Sequence, residues 1–126
     1  MISIRLRNIF LLSIPLFVVH GIEEYLTGFY KVDDILFGHL TESVAQPAFI
    51  IFQVIWWFLL LIIANQINQK WAFKALIIVG ITYMLEVHHL IHALIAKGYY
   101  PGATTALLFP FIAFFFWKEI IKRSTD

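Results

Sequence analysis

Apolar residues run along this chain in four long stretches, at about residues 9–29, 47–66, 75–96 and 103–121, with short polar breaks between them. Each comes close to the roughly 20 residues a helix needs to cross a bilayer core. The second is the purest, with an almost unbroken apolar run over 49–64. The pattern predicts an all-α protein, a four-transmembrane-helix bundle forming one domain over residues 1–126. Pro15 falls inside the first helix and is expected to kink it, whereas Pro47 is expected at the start of the second. The fourth helix contains Pro110 and is entered through Tyr99-Tyr100-Pro101-Gly102, a strong turn signal followed by the capping candidates Thr104 and Thr105. The first stretch follows Arg5 and Arg7, as a signal peptide's would. It is longer than a signal-peptide core and lacks a small-x-small cleavage site, so it is expected to be retained.

The breaks carry the charges. Arg5, Arg7, Lys70, Lys74, Lys118, Lys122 and Arg123 fall on one side of the four spans; only Lys31 and Lys97 fall on the other. Positive charge collects on the cytoplasmic side, which predicts a multi-pass protein, expected in the plasma membrane, with both termini cytoplasmic. Between the first two spans, Ile35, Leu36, His39 and Leu40 fit one face of an interfacial helix, and a plain polar loop fits as well. Tyr25, Tyr30, Trp71, Tyr99, Tyr100 and Trp117 sit near span ends, as belt aromatics do. Trp56 and Trp57 lie mid-span, as packing residues or as one wall of a cavity.

Composition agrees. Hydrophobic residues make up 61% and charged residues 13%, against about 45–50% and 25% in soluble domains. A net charge of +1 offers nothing to a nucleic acid. The absence of cysteine excludes disulfides, thiolate metal sites and thiol nucleophiles.

Two polar clusters interrupt this apolar background. His20-Gly21-Ile22-Glu23-Glu24 lies in the first helix and Glu86-Val87-His88-His89-Leu90-Ile91-His92 in the third. An ionisable group at bilayer depth costs about 2.5–3.5 kcal/mol on insertion scales, so it faces a partner, water or a ligand. His20, Glu23 and Glu24 span an arc of about 100° on one helix face. Glu86 and His89 form a Glu-x-x-His pair, the spacing that di-metal helix bundles project inward, and His92 repeats it. Depth supports a meeting of the two. His20 comes 13 residues after Arg7 and Glu86 comes 12 after Lys74, so both clusters begin roughly 18–20 Å above the cytoplasmic boundary.

Imidazoles and carboxylates without sulfur suit a divalent metal, Zn²⁺, Fe²⁺ or Mn²⁺. The metal candidates are His20, Glu23, Glu86, His89 and His92. Glu86 and Glu24 are the acid–base candidates, with Glu24 standing behind the ligands. Such a centre would act on a lipidic or small-molecule substrate within the lipid bilayer. Two other functions use the same residues: metal-free lipid or sterol binding with Glu86 shuttling a proton, or a structural or transport subunit whose polar groups clasp helices. His88 is expected to pack, His39 to be solvated, and Gln53 and Asn65 to bond between helices. With no Ser or Thr placed beside a His at this level, a Ser-His hydrolase is not expected.

These residues resemble the HXXEE family of small integral membrane proteins: His20-Gly21-Ile22-Glu23-Glu24 matches its motif as written. A later histidine-bearing helix and Tyr99-Tyr100-Pro101-Gly102 followed by Thr105 extend the resemblance over most of the chain. It implies membrane location and no particular activity. A looser likeness is to four-helix membrane isomerases of the sterol-isomerase type, which also place His and Glu one turn apart in an early helix.

Overall fold

The computed structural model describes residues 2–124; the side chain of Arg123, one of the charges counted for orientation, lies outside the description. Seven helices occur among the described residues, with no strand: α1 (Ile4–Thr27), α2 (Phe29–Val32), α3 (Glu42–Asn65), α4 (Lys70–Leu85), α5 (His88–Ile95), α6 (Ala103–Ala106) and α7 (Phe109–Ser124). They compose four helical stretches long and apolar enough to cross a membrane: Ile4–Thr27, Glu42–Asn65, Lys70–Ile95 and Ala103–Lys122. The fold class is therefore the expected one.

Helix ends follow local chemistry. Ser3 caps α1, its Oγ accepting the Leu6 N–H at 3.1 Å. Gly28 ends it in the left-handed conformation (φ 79°), which costs glycine nothing sterically. Pro47 lies inside α3, not at its start, because the helix already begins at Glu42 behind Thr41. In the fourth stretch Pro110 has no N–H to return to Ala106, and the helix divides there into α6 and α7.

The 33–40 segment is a loop and not an interfacial helix, but a loop built tightly around one aspartate. The Asp33 carboxylate accepts the N–H groups of Leu36 (2.7 Å) and Phe37 (2.8 Å), and its carbonyl accepts that of Gly38 (2.6 Å). These bonds replace a helical ladder with a compact turn that buries Phe37 and leaves Ile35, Leu36, His39 and Leu40 exposed.

α1 packs against α3 and α7, and α4 against α7. The core between them holds Phe10, Phe17, Leu60, Leu76, Tyr83, Phe109 and Phe116. Phe17 stacks on Tyr83 (5.4 Å) and contacts Phe109 (5.0 Å). Tyr83 also keeps a polar bond here. Ser13 spends its proton on the Phe10 carbonyl (2.6 Å), so the Tyr83 hydroxyl is the donor to Ser13 Oγ (2.6 Å). Gly80 lets α4 approach α7, where Trp117 Nε1–H donates to its carbonyl at 3.0 Å. Large apolar side chains such as Phe58, Phe111 and Phe114 face outward and remain exposed. An outer surface of this kind needs a non-aqueous surrounding or partners.

Candidate metal centre

Directly above that aromatic core, one atom from each of His20, Glu24, Glu86 and His89 lies within 4.8 Å of the others, a group able to hold a metal ion. Two helices supply it. On α1, His20 and Glu24 stand at i and i+4 and share a face. On the third stretch the helix tightens between α4 and α5: the N–H of His89 bonds the Glu86 carbonyl three residues back, at 3.3 Å. Three residues per turn eclipse side chains at i and i+3, so Glu86 and His89 project in one direction.

His20 Nε2 lies 2.9 Å from Glu86 Oε2 and 3.6 Å from Glu24 Oε1. His89 Nε2 lies 3.2 Å from each of the same two oxygens. Ligands about 2.0–2.1 Å from a tetrahedral ion sit roughly 3.3 Å apart, so these separations suit a shared cation. His20, Glu24 and His89 are buried and Glu86 is half-buried.

Proton accounting decides how the two imidazoles are presented. His89 Nδ1 sits 2.6 Å from the Pro101 carbonyl, which can only accept, so Nδ1 carries the proton. His20 Nδ1 lies 2.7 Å from Thr105 Oγ1. The Thr105 hydroxyl gives its single proton to Glu23 Oε2 at 2.5 Å and therefore accepts from His20. In its neutral form His89 turns a bare Nε2 toward the two carboxylates, whereas His20 Nε2, 2.9 Å from Glu86 Oε2, is in hydrogen-bond geometry and donates to that oxygen when protonated. His89 Nε2 is buried and meets neither oxygen at a hydrogen-bonding angle. A lone pair held 3.2 Å from two anionic oxygens is unfavourable unless a proton or a metal cation stands between them. The donor set and its size fit a divalent ion.

Around these four groups stand residues that fix them. Gln53 Nε2 on α3 donates to Glu24 Oε2 at 2.8 Å, the interhelical role expected of it; Asn65 is instead exposed at the end of α3. Glu23 does not join the cluster. Its carboxylate accepts from the Tyr99 hydroxyl (2.6 Å), the N–H groups of Thr104 (3.1 Å) and Thr105 (2.9 Å), and the Thr105 hydroxyl. Burial, then the Glu23 carboxylate, holds the Tyr99 hydroxyl above its ordinary pKa, so it stays a donor. Glu23 thus closes the 96–102 loop over the site. There the backbone runs so near that a Cβ on Gly102 (φ 84°) would come within 2.8 Å of the His89 ring. His92 is exposed and stacks on Tyr100 (4.8 Å), because α5 resumes ordinary helical turns after His89. His88 packs on His89 (4.0 Å) and gives its Nδ1–H to the Leu85 carbonyl.

Thr105, beside His20, corrects the expectation that no hydroxyl stands next to a histidine here. It is held as a link between Glu23 and His20, with its proton and a lone pair committed, and is not set up as a nucleophile.

A family described as protein of unknown function with HXXEE motif matches residues 11–117. The chain belongs to the HXXEE family. In this member the motif's His20 and Glu24 enter the four-residue cluster, while Glu23 braces it from outside. No curated protein and no solved structure matches the chain.

Proposed function

We propose that this HXXEE protein is a multi-pass membrane protein that binds one divalent metal through His20, Glu24, Glu86 and His89 and uses it for chemistry on a lipidic or small substrate. The observation that carries the reading is the buried Nε2 of His89, 3.2 Å from two carboxylate oxygens and in hydrogen-bond geometry with neither. The contact a metal-free proton-transfer pair would use is the other one, His20 Nε2 to Glu86 Oε2 at 2.9 Å. The four helices span the bilayer with both termini in the cytoplasm, as the Lys and Arg distribution favours. Two carboxylates and two neutral imidazoles carry a charge of −2, which a divalent cation cancels; this offsets much of the cost of holding them among apolar helices. Zn²⁺, Fe²⁺ and Mn²⁺ all suit nitrogen and oxygen donors.

When bound, the metal supplies Lewis acidity and lowers the pKa of a coordinated water. The chain's own residues orient it. Thr105 and the Pro101 carbonyl fix the two imidazoles, and Gln53 leaves Glu24 Oε1 free to face inward. Of the two acids, Glu86 is the more accessible and is the one able to pass a proton to or from a bound molecule.

Elemental analysis of purified full-length protein tests the proposal. One divalent ion per chain is expected in the wild type and in Glu23→Gln, and near zero in Glu86→Ala. Substoichiometric metal in all three would end it.

A further inference from the structure

We infer that the cavity beside the cluster is a tail-binding site for a single-chain amphiphile whose oxygen-bearing head meets the His20, Glu24 and Glu86 edge; the head's role rests on the metal reading, the tail's does not. The cavity measures about 430 Å³, within the ~300–1,000 Å³ of small-molecule sites. His20, Glu24 and Glu86 line one end. Phe17, Phe29, Phe37, Phe49, Phe52 and Trp56 line the rest.

Polarity is segregated along it. Most of the other polar lining groups already have partners: Asp33 holds the turn's N–H groups, Gln53 donates to Glu24, Thr82 donates to the Ile78 carbonyl, and His88 donates to Leu85. The cluster end carries the cavity's two unshielded acids and is the end placed to receive a polar head. Away from that end, the lining offers hydrocarbon and ring faces, and a sugar or phosphate there would lose its hydration without compensation.

The mouth points to a lipid-side entry. The Asp33 turn roofs the cavity, turning Phe37 inward (6% exposed) while Ile35 (77%) and Leu36 (58%) stand at the rim. Leu85 (63%) and Phe52 (47%) complete an apolar frame. A hydrocarbon chain crosses such a rim from the acyl region without passing through water. His89, fully buried, does not line the cavity, so an entering head meets Glu86 first.

The test uses full-length protein in lipid nanodiscs and dodecanoic acid carrying a terminal diazirine. Cross-links should map to cavity residues between 29 and 56 and fall at least tenfold with excess dodecanoic acid. Its methyl ester, tested separately, distinguishes a carboxylate head from a carbonyl one; cholesterol should compete poorly. Leu85→Trp, which fills the mouth, should cut cavity labelling at least tenfold with metal content unchanged, so a folding defect would be visible as metal loss. Labelling spread over outward residues such as Phe58 and Phe111, without competition in metal-loaded protein, would overturn the tail site. Competed cavity labelling in a protein that never holds metal would keep the tail site and overturn the metal reading instead.

Discussion

Thr105→Val removes one hydroxyl and keeps the side chain's shape. Its hydrogen bonds go with it: the 2.7 Å bond that holds His20 Nδ1–H, the 2.5 Å bond to Glu23 and a long 3.4 Å one to the Gly102 carbonyl. Glu23 keeps three other donors, the Tyr99 hydroxyl and the N–H groups of Thr104 and Thr105, so its side of the link survives. His20 does not fare as well. His20 is 2% exposed, and water cannot replace the lost acceptor. Without metal the ring is free to change tautomer or tilt; binding metal at Nε2 forces the N–H back into an apolar slot. A buried unsatisfied donor costs about 1–3 kcal/mol, which at about 1.4 kcal/mol per decade is a roughly 5- to 150-fold loss of affinity. Partners of metal-bound histidines elsewhere show losses of about 10- to 100-fold. The assay is zinc competition against a chromogenic chelator, with full-length protein in detergent. Thr105→Ser should stay within a few fold of wild type. Wild-type affinity in Thr105→Val, or equal losses in the Ser and Val variants, would refute the link.

Other expectations follow from the same geometry. Gly102→Ala places a Cβ 2.8 Å from the His89 ring at a φ of 84°; strain of about 1–3 kcal/mol should lower the apparent Tm by several degrees and weaken zinc binding. Gly98→Ala, which meets only a carbonyl at 3.9 Å, should do neither in the same melt. Ser13→Ala orphans the buried Tyr83 hydroxyl and should cost about 1–3 kcal/mol in denaturation, while the double variant with Tyr83→Phe should recover most of it. The chain lacks cysteine, so single substitutions report sidedness cleanly. Lys97→Cys should react with an impermeant maleimide added outside cells, and Gln69→Cys only after permeabilisation.

The four helical stretches could be read from the sequence because apolar run length is the dominant constraint on such a chain. Spacing and depth also brought His20 and Glu86 to one level, and the structure places them 2.9 Å apart. Spacing could not choose between Glu23 and Glu24. Consecutive residues splay by about 100°, and which one faces the partner helix depends on how α1 is rotated in the bundle. Glu24 faces inward and Glu23 takes the loop. The tightened turn that eclipses Glu86 with His89 also left no mark in the pattern, and it is what turns His92 away. Thr105, Pro101 and Gly102 stood out as turn and capping signals. Their contact with the histidines exists only once the 96–102 loop folds back, a tertiary event that local sequence does not encode. The Asp33 turn was hidden for a related reason: aliphatic spacing at Ile35, Leu36 and Leu40 mimics a helix face, while the aspartate's competition for backbone N–H groups decides the outcome.

X-ray absorption at the edge of the metal copurified with the full-length protein tests the convergence of α1 and the α4–α5 turn most directly. The spectrum should show two imidazole nitrogens and carboxylate oxygens at about 2.0–2.2 Å, with one imidazole lost in His20→Ala and one in His89→Ala. A first shell of oxygens alone, or an imidazole count indifferent to either substitution, would contradict a centre shared by the two helices.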